Sequence, residues 1–268
     1  MSDVLELPKR SVSQVKEYLS CPQAYKLNRI DKVWSRPAAW FPQGTAFHAV
    51  AELYEVWLSY GQPLTLIEAQ DAFRHFYARD VQLIADETPN FDWWFWSGPY
   101  NGERDLERRY AIGLEQVEKF VAWRETVGQE IWVTPDGTPA VELYFEIILD
   151  GVLVRGYIDA VVVVDGRLRV RDYKTGNAPG DDFQLAVYAL ALKKMFGVEV
   201  TDGDYFMVGK KGKAPSFIYF DLDDWDEEKI TKVFRDVELE IQAGRFDPDP
   251  DPDKCRFCGV SHSCSFYQ

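Results

Sequence analysis

The chain has 268 residues, 46% of them hydrophobic and 15% aromatic, which allows one large core or two small ones and excludes global disorder. No apolar run reaches the ~20 residues that a membrane span needs, and the N-terminus lacks a signal-peptide stretch, so a soluble, cytoplasmic protein is expected. A net charge of −14 argues, taken alone, against a nucleic-acid partner, although net charge is a poor guide to a local groove. Only local basic tracks remain, such as Lys210, Lys211 and Lys213 or Arg104, Arg108 and Arg109, and either group also reads as an ordinary solvated face.

In chain order, Ser11 and Gln14 stand at capping-box spacing and open a helical stretch over 11–30, interrupted at Cys21-Pro22. An amphipathic helix is expected at 44–60 and two further helices at 65–85 and 103–127. Between the last two, FDWWFWSGPY packs six aromatics into ten positions. The segment could stack on bases, but a plug in the core is the favoured reading. From 141 the pattern turns to strands: VELYFEIIL, VLVRGYIDAVVVV and RLRVRDYK, joined by Asp150-Gly151 and Asp165-Gly166, which are strong two-residue hairpin signals. A Gly/Pro loop at 176–180 leads to a helix over 181–196, strands near 204–209 and 216–221, and a helix over 226–243 stopped by Gly244. The segment DPDPDPDK reads as a stiff acidic linker.

Two-residue turns fix the register of this meander. Leu149 then faces Val152, and Glu142 falls opposite Asp159. Val164 faces Arg167, and Asp159 falls opposite Asp172. Directly opposed side chains share a face, so Glu142, Asp159 and Asp172 form one row, with Lys174 two residues along from Asp172. Three carboxylates in a row repel one another unless a cation sits among them. A plain exposed charge pair at a strand end is the bland alternative for Asp172 and Lys174. Against it, both extend the apolar face of Leu168 and Val170, where charges need partners. A hard cation such as Mg²⁺ or Mn²⁺ takes oxygen ligands, can activate water and can polarise a phosphoryl oxygen. A neighbouring lysine can stabilise developing charge. These parts suffice for phosphodiester hydrolysis.

Ile158-Asp159 followed by Asp172-Tyr173-Lys174 resembles the motif of the PD-(D/E)XK nucleases, and GYIDAV and RDYKTG resemble its RecB-like branch. That branch carries an upstream helical histidine, matched by His48 in GTAFHAV, and a Gln/Tyr pair four apart, matched by Gln184 and Tyr188 in FQLAVYALAL. The resemblance covers about residues 10–265. It implies an α/β, restriction-endonuclease-like core: an antiparallel meander in a mixed sheet flanked by helices, with a helical N-terminal portion. It implies Mg²⁺ or Mn²⁺ held by His48, Asp159, Asp172 and the Tyr173 carbonyl, with Glu142 as a further candidate ligand. Lys174 takes the catalytic role, and Gln184 and Tyr188 orient lysine or substrate.

Four cysteines stand at 21, 255, 258 and 264. A reducing compartment disfavours disulfides, so the set reads as metal ligands, and the spacing suits zinc and a 4Fe–4S cluster alike. One cysteine in the first helix with a C-terminal C-x2-C-x5-C resembles the arrangement of AddB nucleases and CRISPR-associated iron–sulfur exonucleases, which implies a 4Fe–4S cluster stapling the two ends of the chain. His262 is a possible zinc ligand, superfluous beside four thiolates.

The expected organisation is a single RecB-like domain over 1–268. Within it, 1–135 is mainly helical and carries Cys21 and His48, 136–245 is the nuclease core, and 246–268 holds the acidic linker and cysteines. The expected activity is metal-dependent exonucleolytic hydrolysis at DNA ends, single-stranded DNA being the favoured form, in recombination, repair or CRISPR-type adaptation. A non-cleaving DNA-end-binding subunit is the alternative, and the intact Asp159, Asp172 and Lys174 set speaks against it. A redox iron–sulfur protein would have no use for the carboxylate row.

Overall fold

The structure is a computed structural model that describes residues 7–176, 178–209 and 212–267. Along the chain lie β1 (Lys9–Arg10), α1 (Val12–Ser20), α2 (Pro22–Tyr25), α3 (Phe41–Ser59), α4 (Leu66–Glu87) and α5 (Gly102–Thr126). They are followed by β2 (Glu130–Ile131), β3 (Val141–Leu149), β4 (Val152–Val164), β5 (Arg167–Lys174), α6 (Asp182–Phe196), β6 (Asp202–Met207), β7 (Ser216–Asp221), α7 (Glu227–Gln242) and α8 (Pro252–Arg256). A π-helical turn, Lys26–Ile30, continues α2. The strands form a mixed seven-stranded sheet in the order β1-β4-β5-β6-β7, with β2 and β3 also paired to β4. This is the α/β architecture expected from the sequence. Among the described residues no helix is long and apolar enough to cross a membrane.

Both hairpin turns have the geometry their sequences demand. Asp150 and Gly151 stand at φ 46° and 81°, Asp165 and Gly166 at 49° and 75°. Two consecutive left-handed residues make the turn whose twist matches that of paired strands, and Asp-Gly tolerates it. The β4–β5 ladder therefore runs in the expected register, from Val164 opposite Arg167 to Ala160 opposite Arg171. The capping box predicted at Ser11 forms with Gln14. Asp181 and Asp226 cap α6 and α7 through their side chains.

Three details depart from expectation. The strand expected at 204–209 lies at Asp202–Met207, because β7 pairs with it from Asp221 opposite Asp202, and Gly209 turns away at φ 81°. The short strands β1 and β2 were not predicted. The acidic segment also ends in a helix, since Asp251 caps α8 by accepting from the N–H groups of Asp253 and Lys254.

By their contacts the residues divide into two compact units. One comprises Met1–Arg36, Tyr144–Tyr157 and Asp224–Gln268. Here α1 packs on α7, Tyr18 donates to the Arg245 carbonyl at 2.6 Å, and Arg10 pairs with Glu238 at 2.7 Å. The other comprises Pro37–Leu143 and Ile158–Asp223. Its core joins Phe47, Tyr54, Phe73, Phe120, Tyr173 and Phe206. Each such side chain, fully buried, stabilises by about 1.5–3 kcal/mol. Helices α4 and α5 approach closely because position 113 is glycine: a Cβ there would stand 2.0 Å from the Phe73 ring. The aromatic segment is a plug as predicted. Trp94 is fully buried with Ala39 and Leu106, while Trp93 remains exposed.

Candidate active site

The site lies in the second unit, where α3, β3, β4, β5 and α6 converge. Asp159 lies in the middle of β4 and Asp172 near the C-terminal end of β5, and both are buried. His48 projects from α3. Its Nδ1 lies 3.3 Å from Asp159 Oδ2 and 3.8 Å from Glu142 Oε1. One ligand atom from each of His48, Glu142 and Asp159 can be chosen so that all three lie within 4.8 Å of one another. Glu142 holds a left-handed backbone, φ 43°, within β3. A non-glycine residue in that region carries strain, which accumulates at functional positions.

Asp172 stands beside this trio and is engaged differently. Its Oδ1 accepts from Gln184 Nε2 at 2.6 Å, and its Oδ2 faces Lys174 Nζ at 2.6 Å. That Oδ2 is buried, and the Lys174 ammonium is its partner. Gln184 also reaches the Tyr188 hydroxyl at 2.8 Å, as residues four apart on a helix can. The ammonium of Lys174 sits 5.2 Å over the Tyr205 ring, and the Tyr205 hydroxyl donates to the Asp181 carbonyl at 2.7 Å, at the start of α6. Tyr173 donates its backbone N–H to Asp159 Oδ2 at 2.8 Å and its hydroxyl to Glu55 at 3.1 Å. Glu55 lies two turns after His48 on α3 and is itself paired with Arg124 at 2.8 Å.

Burial raises the Asp159 carboxyl well above the usual carboxylate range, with the charges of Asp172 and Glu142 adding and His48 opposing. Burial also raises Asp172, against the opposing charge of Lys174. For His48, burial acts downward, but Asp159, a hydrogen bond with Glu142, and the charges of Asp172 and Glu142 lift its pKa to about 9. Acids pushed up beside a histidine pushed up are what crowded like charges produce when nothing neutralises them. A nitrogen and carboxylate oxygens converging this closely, beside a second buried carboxylate, fit a divalent cation.

Two buried groups escaped the sequence reading. Gln43 and Gln116 join side chain to side chain at 2.6 Å, and Gln116 Nε2 donates to the carbonyls of Thr175 and Gly209, each at 3.1 Å. The signal available was a polar residue, Gln116, on the apolar face shared by Gly113, Val117 and Phe120. Behind the site, Arg171 is buried on Asp204 at 2.7 Å and under the Phe217 ring. Of the basic tracks considered, Lys210 and Lys211 lie outside the described residues. Arg108 and Arg109 are turned inward onto Asp105 and Ser97.

The cysteines belong to the first unit. Cys21, Cys255, Cys258 and Cys264 are half-buried, form no disulfide and line one cavity of about 240 Å³. Among the described residues no three of their sulfurs lie within 4.8 Å of one another. Burial raises the Cys258 thiol, the other three cysteines adding to the effect. His262 packs its ring edge-on against Trp34, with centroids 5.0 Å apart.

The chain is similar to several known proteins. "Gene 69 protein" of Mycobacterium phage D29 is 70% identical over 266 residues, covering 98% of this chain and 99% of its own. "Gene 69 protein" of Mycobacterium phage L5 is 59% identical, covering 98% of each. A solved structure titled "Crystal structure of SSO0001" aligns with all of this chain and 90% of its own at 14% identity and a TM-score of 0.44. The family model of the PD-(D/E)XK nuclease superfamily matches residues 9–265. With nearly its whole length matched, the chain belongs to the PD-(D/E)XK nuclease superfamily.

Proposed function

We propose that this protein is a Mg²⁺- or Mn²⁺-dependent DNA exonuclease of the RecB-like branch, acting on single-stranded DNA ends in recombination, repair or adaptation. The observation that carries the reading is the convergence of His48, Glu142 and Asp159 beside an Asp172–Lys174 pair. His48, Glu142, Asp159 and Asp172, with the Tyr173 carbonyl, would hold the cation. A bound cation supplies Lewis acidity and a water of lowered pKa. Lys174 lies where its charge can offset that building up on a phosphoryl oxygen. Gln184 fixes the carboxylate of Asp172, and Tyr188 fixes Gln184. The whole chain, 1–268, then serves as one nuclease domain.

End-labelled linear and circular DNA, single- and double-stranded, should be incubated with Mg²⁺, Mn²⁺ or EDTA. Linear single strands should shorten from an end in either metal. Cleavage of circles at the same rate would remove the exonuclease assignment, and no metal-dependent cleavage of any substrate would remove the enzyme, leaving a DNA-end-binding subunit.

The same reading gives the four cysteines a 4Fe–4S cluster. That assignment rests on the resemblance of Cys21 with C-x2-C-x5-C to iron–sulfur nucleases, and on the cavity that all four cysteines line. Anaerobically prepared protein should be brown and contain iron, and serine at any of the four positions should bleach and destabilise it. Stoichiometric zinc without iron would overturn the cluster.

A further inference from the structure

We infer that a groove in the first unit, built on the β3–β4 hairpin and the start of α1, is a stacking platform for single-stranded nucleic acid. The inference rests on the proposed action on single strands and names the residues that would recognise them. The groove encloses about 470 Å³ and is lined by Lys9, Arg10 and Arg155 and by Tyr144 and Tyr157. Among the described residues no carboxylate lines it.

The two tyrosines are a directly opposed pair on the outer face of the hairpin, 42% and 56% exposed, with ring centroids 5.4 Å apart. The rings pack against each other, and about half of each side chain still lies open to solvent. Neighbouring positions on the opposite face, Phe145, Val152 and Val154, are buried and supply the hairpin's hydrophobic anchorage. Exposed rings on paired strands offer flat apolar faces to unstacked bases, whereas bases inside a duplex are already stacked on one another. The geometry therefore favours single strands.

Charge points to the same ligand. The chain carries −14, so a polyanion is repelled by most of its surface. Here three cations meet in one concavity. Arg155 is exposed on the face of Tyr157 and forms no ion pair among the described residues. Arg10 is held in place by buried Glu238, 2.7 Å away, and Glu146 is occupied by the Tyr144 hydroxyl. A phosphate backbone crossing the groove would meet Lys9, Arg10 and Arg155 while its bases rest on the rings.

The test is anisotropy of a fluorescein-labelled oligothymidylate with the full-length protein in EDTA, so that binding is read without cleavage and independently of whether the protein is an enzyme. The Tyr144→Ala/Tyr157→Ala double variant should bind at least tenfold more weakly, and Tyr144→Phe/Tyr157→Phe should bind like the parent. Arg155→Ala should flatten the plot of log affinity against log salt by about 0.7, the share of one phosphate contact on a single strand. Melting curves would establish that the variants fold. Unchanged affinity in the folded double variant and in Arg155→Ala would overturn the inference. So would duplex bound more tightly than the single strand, or polyglutamate competing as well as oligothymidylate, which would mark an acidic protein partner instead.

Discussion

Gln184 Nε2 lies 2.6 Å from Oδ1 of Asp172, placing a neutral donor from α6 on a buried carboxylate of β5. The contact connects the helix after the active-site loop to the strand before it. It also leaves Asp172 Oδ2 to face Lys174.

Replacing Gln184 by alanine should therefore lower kcat by about 10- to 100-fold, the loss of a hydrogen bond to a charged group being about 1.5–3 kcal/mol. KM for DNA should change little. Gln184→Glu should be worse, since it sets a second carboxylate against Asp172. Steady-state kinetics on a labelled oligonucleotide separate kcat from KM, and wild-type rates in both variants would remove Gln184 from the site.

Asp159→Asn, Asp172→Asn and Lys174→Ala should each reduce cleavage by at least about a thousandfold, given electrostatic catalysis. Stability should move the other way for Asp159→Asn. Burial disfavours its charged form, and the amide oxygen can still accept from Tyr173. Its metal-free melting temperature should equal or exceed that of the parent. A folded Asp172→Asn protein with full activity would refute the mechanism.

The His48 pKa predicts how metal-free stability depends on pH. It rises from 6.5 to about 9 in the folded protein, so the folded state holds a proton that the unfolded state has lost within that window. The associated stabilisation is complete below pH 6.5 and disappears as pH climbs to about 9. Melting temperatures in EDTA should fall across this range, and His48→Gln should flatten the slope. Divalent metal should restore stability most at the alkaline end, where the imidazole is free to bind it. A flat EDTA profile would contradict the crowding of charge described around His48.

Gln116→Leu should cost about 1–3 kcal/mol of stability by leaving buried carbonyls and the Gln43 amide unpaired. Because Thr175 follows Lys174 directly, the rate should fall as well. Urea unfolding and cleavage assays on one preparation would show both effects, and an unaltered midpoint would deny Gln116 its role.

The residue pattern alone determined the parts of this protein governed by short-range geometry. Asp-Gly at 150–151 and 165–166 dictates tight turns. Those turns fix the β4–β5 register and bring Asp159, Asp172 and Lys174 together. Capping residues and apolar spacing likewise place most helix starts. The tertiary structure decided what depends on segments distant along the chain: His48 meeting Glu142 and Asp159, Gln43 meeting Gln116, Arg171 finding Asp204, and the two-residue strands β1 and β2. A turn constrains its neighbours through a few backbone angles, so its consequences can be worked out residue by residue. A helix crossing a sheet places its side chains through the packing of the whole core, and no local pattern encodes where a histidine on α3 will meet a carboxylate on β4.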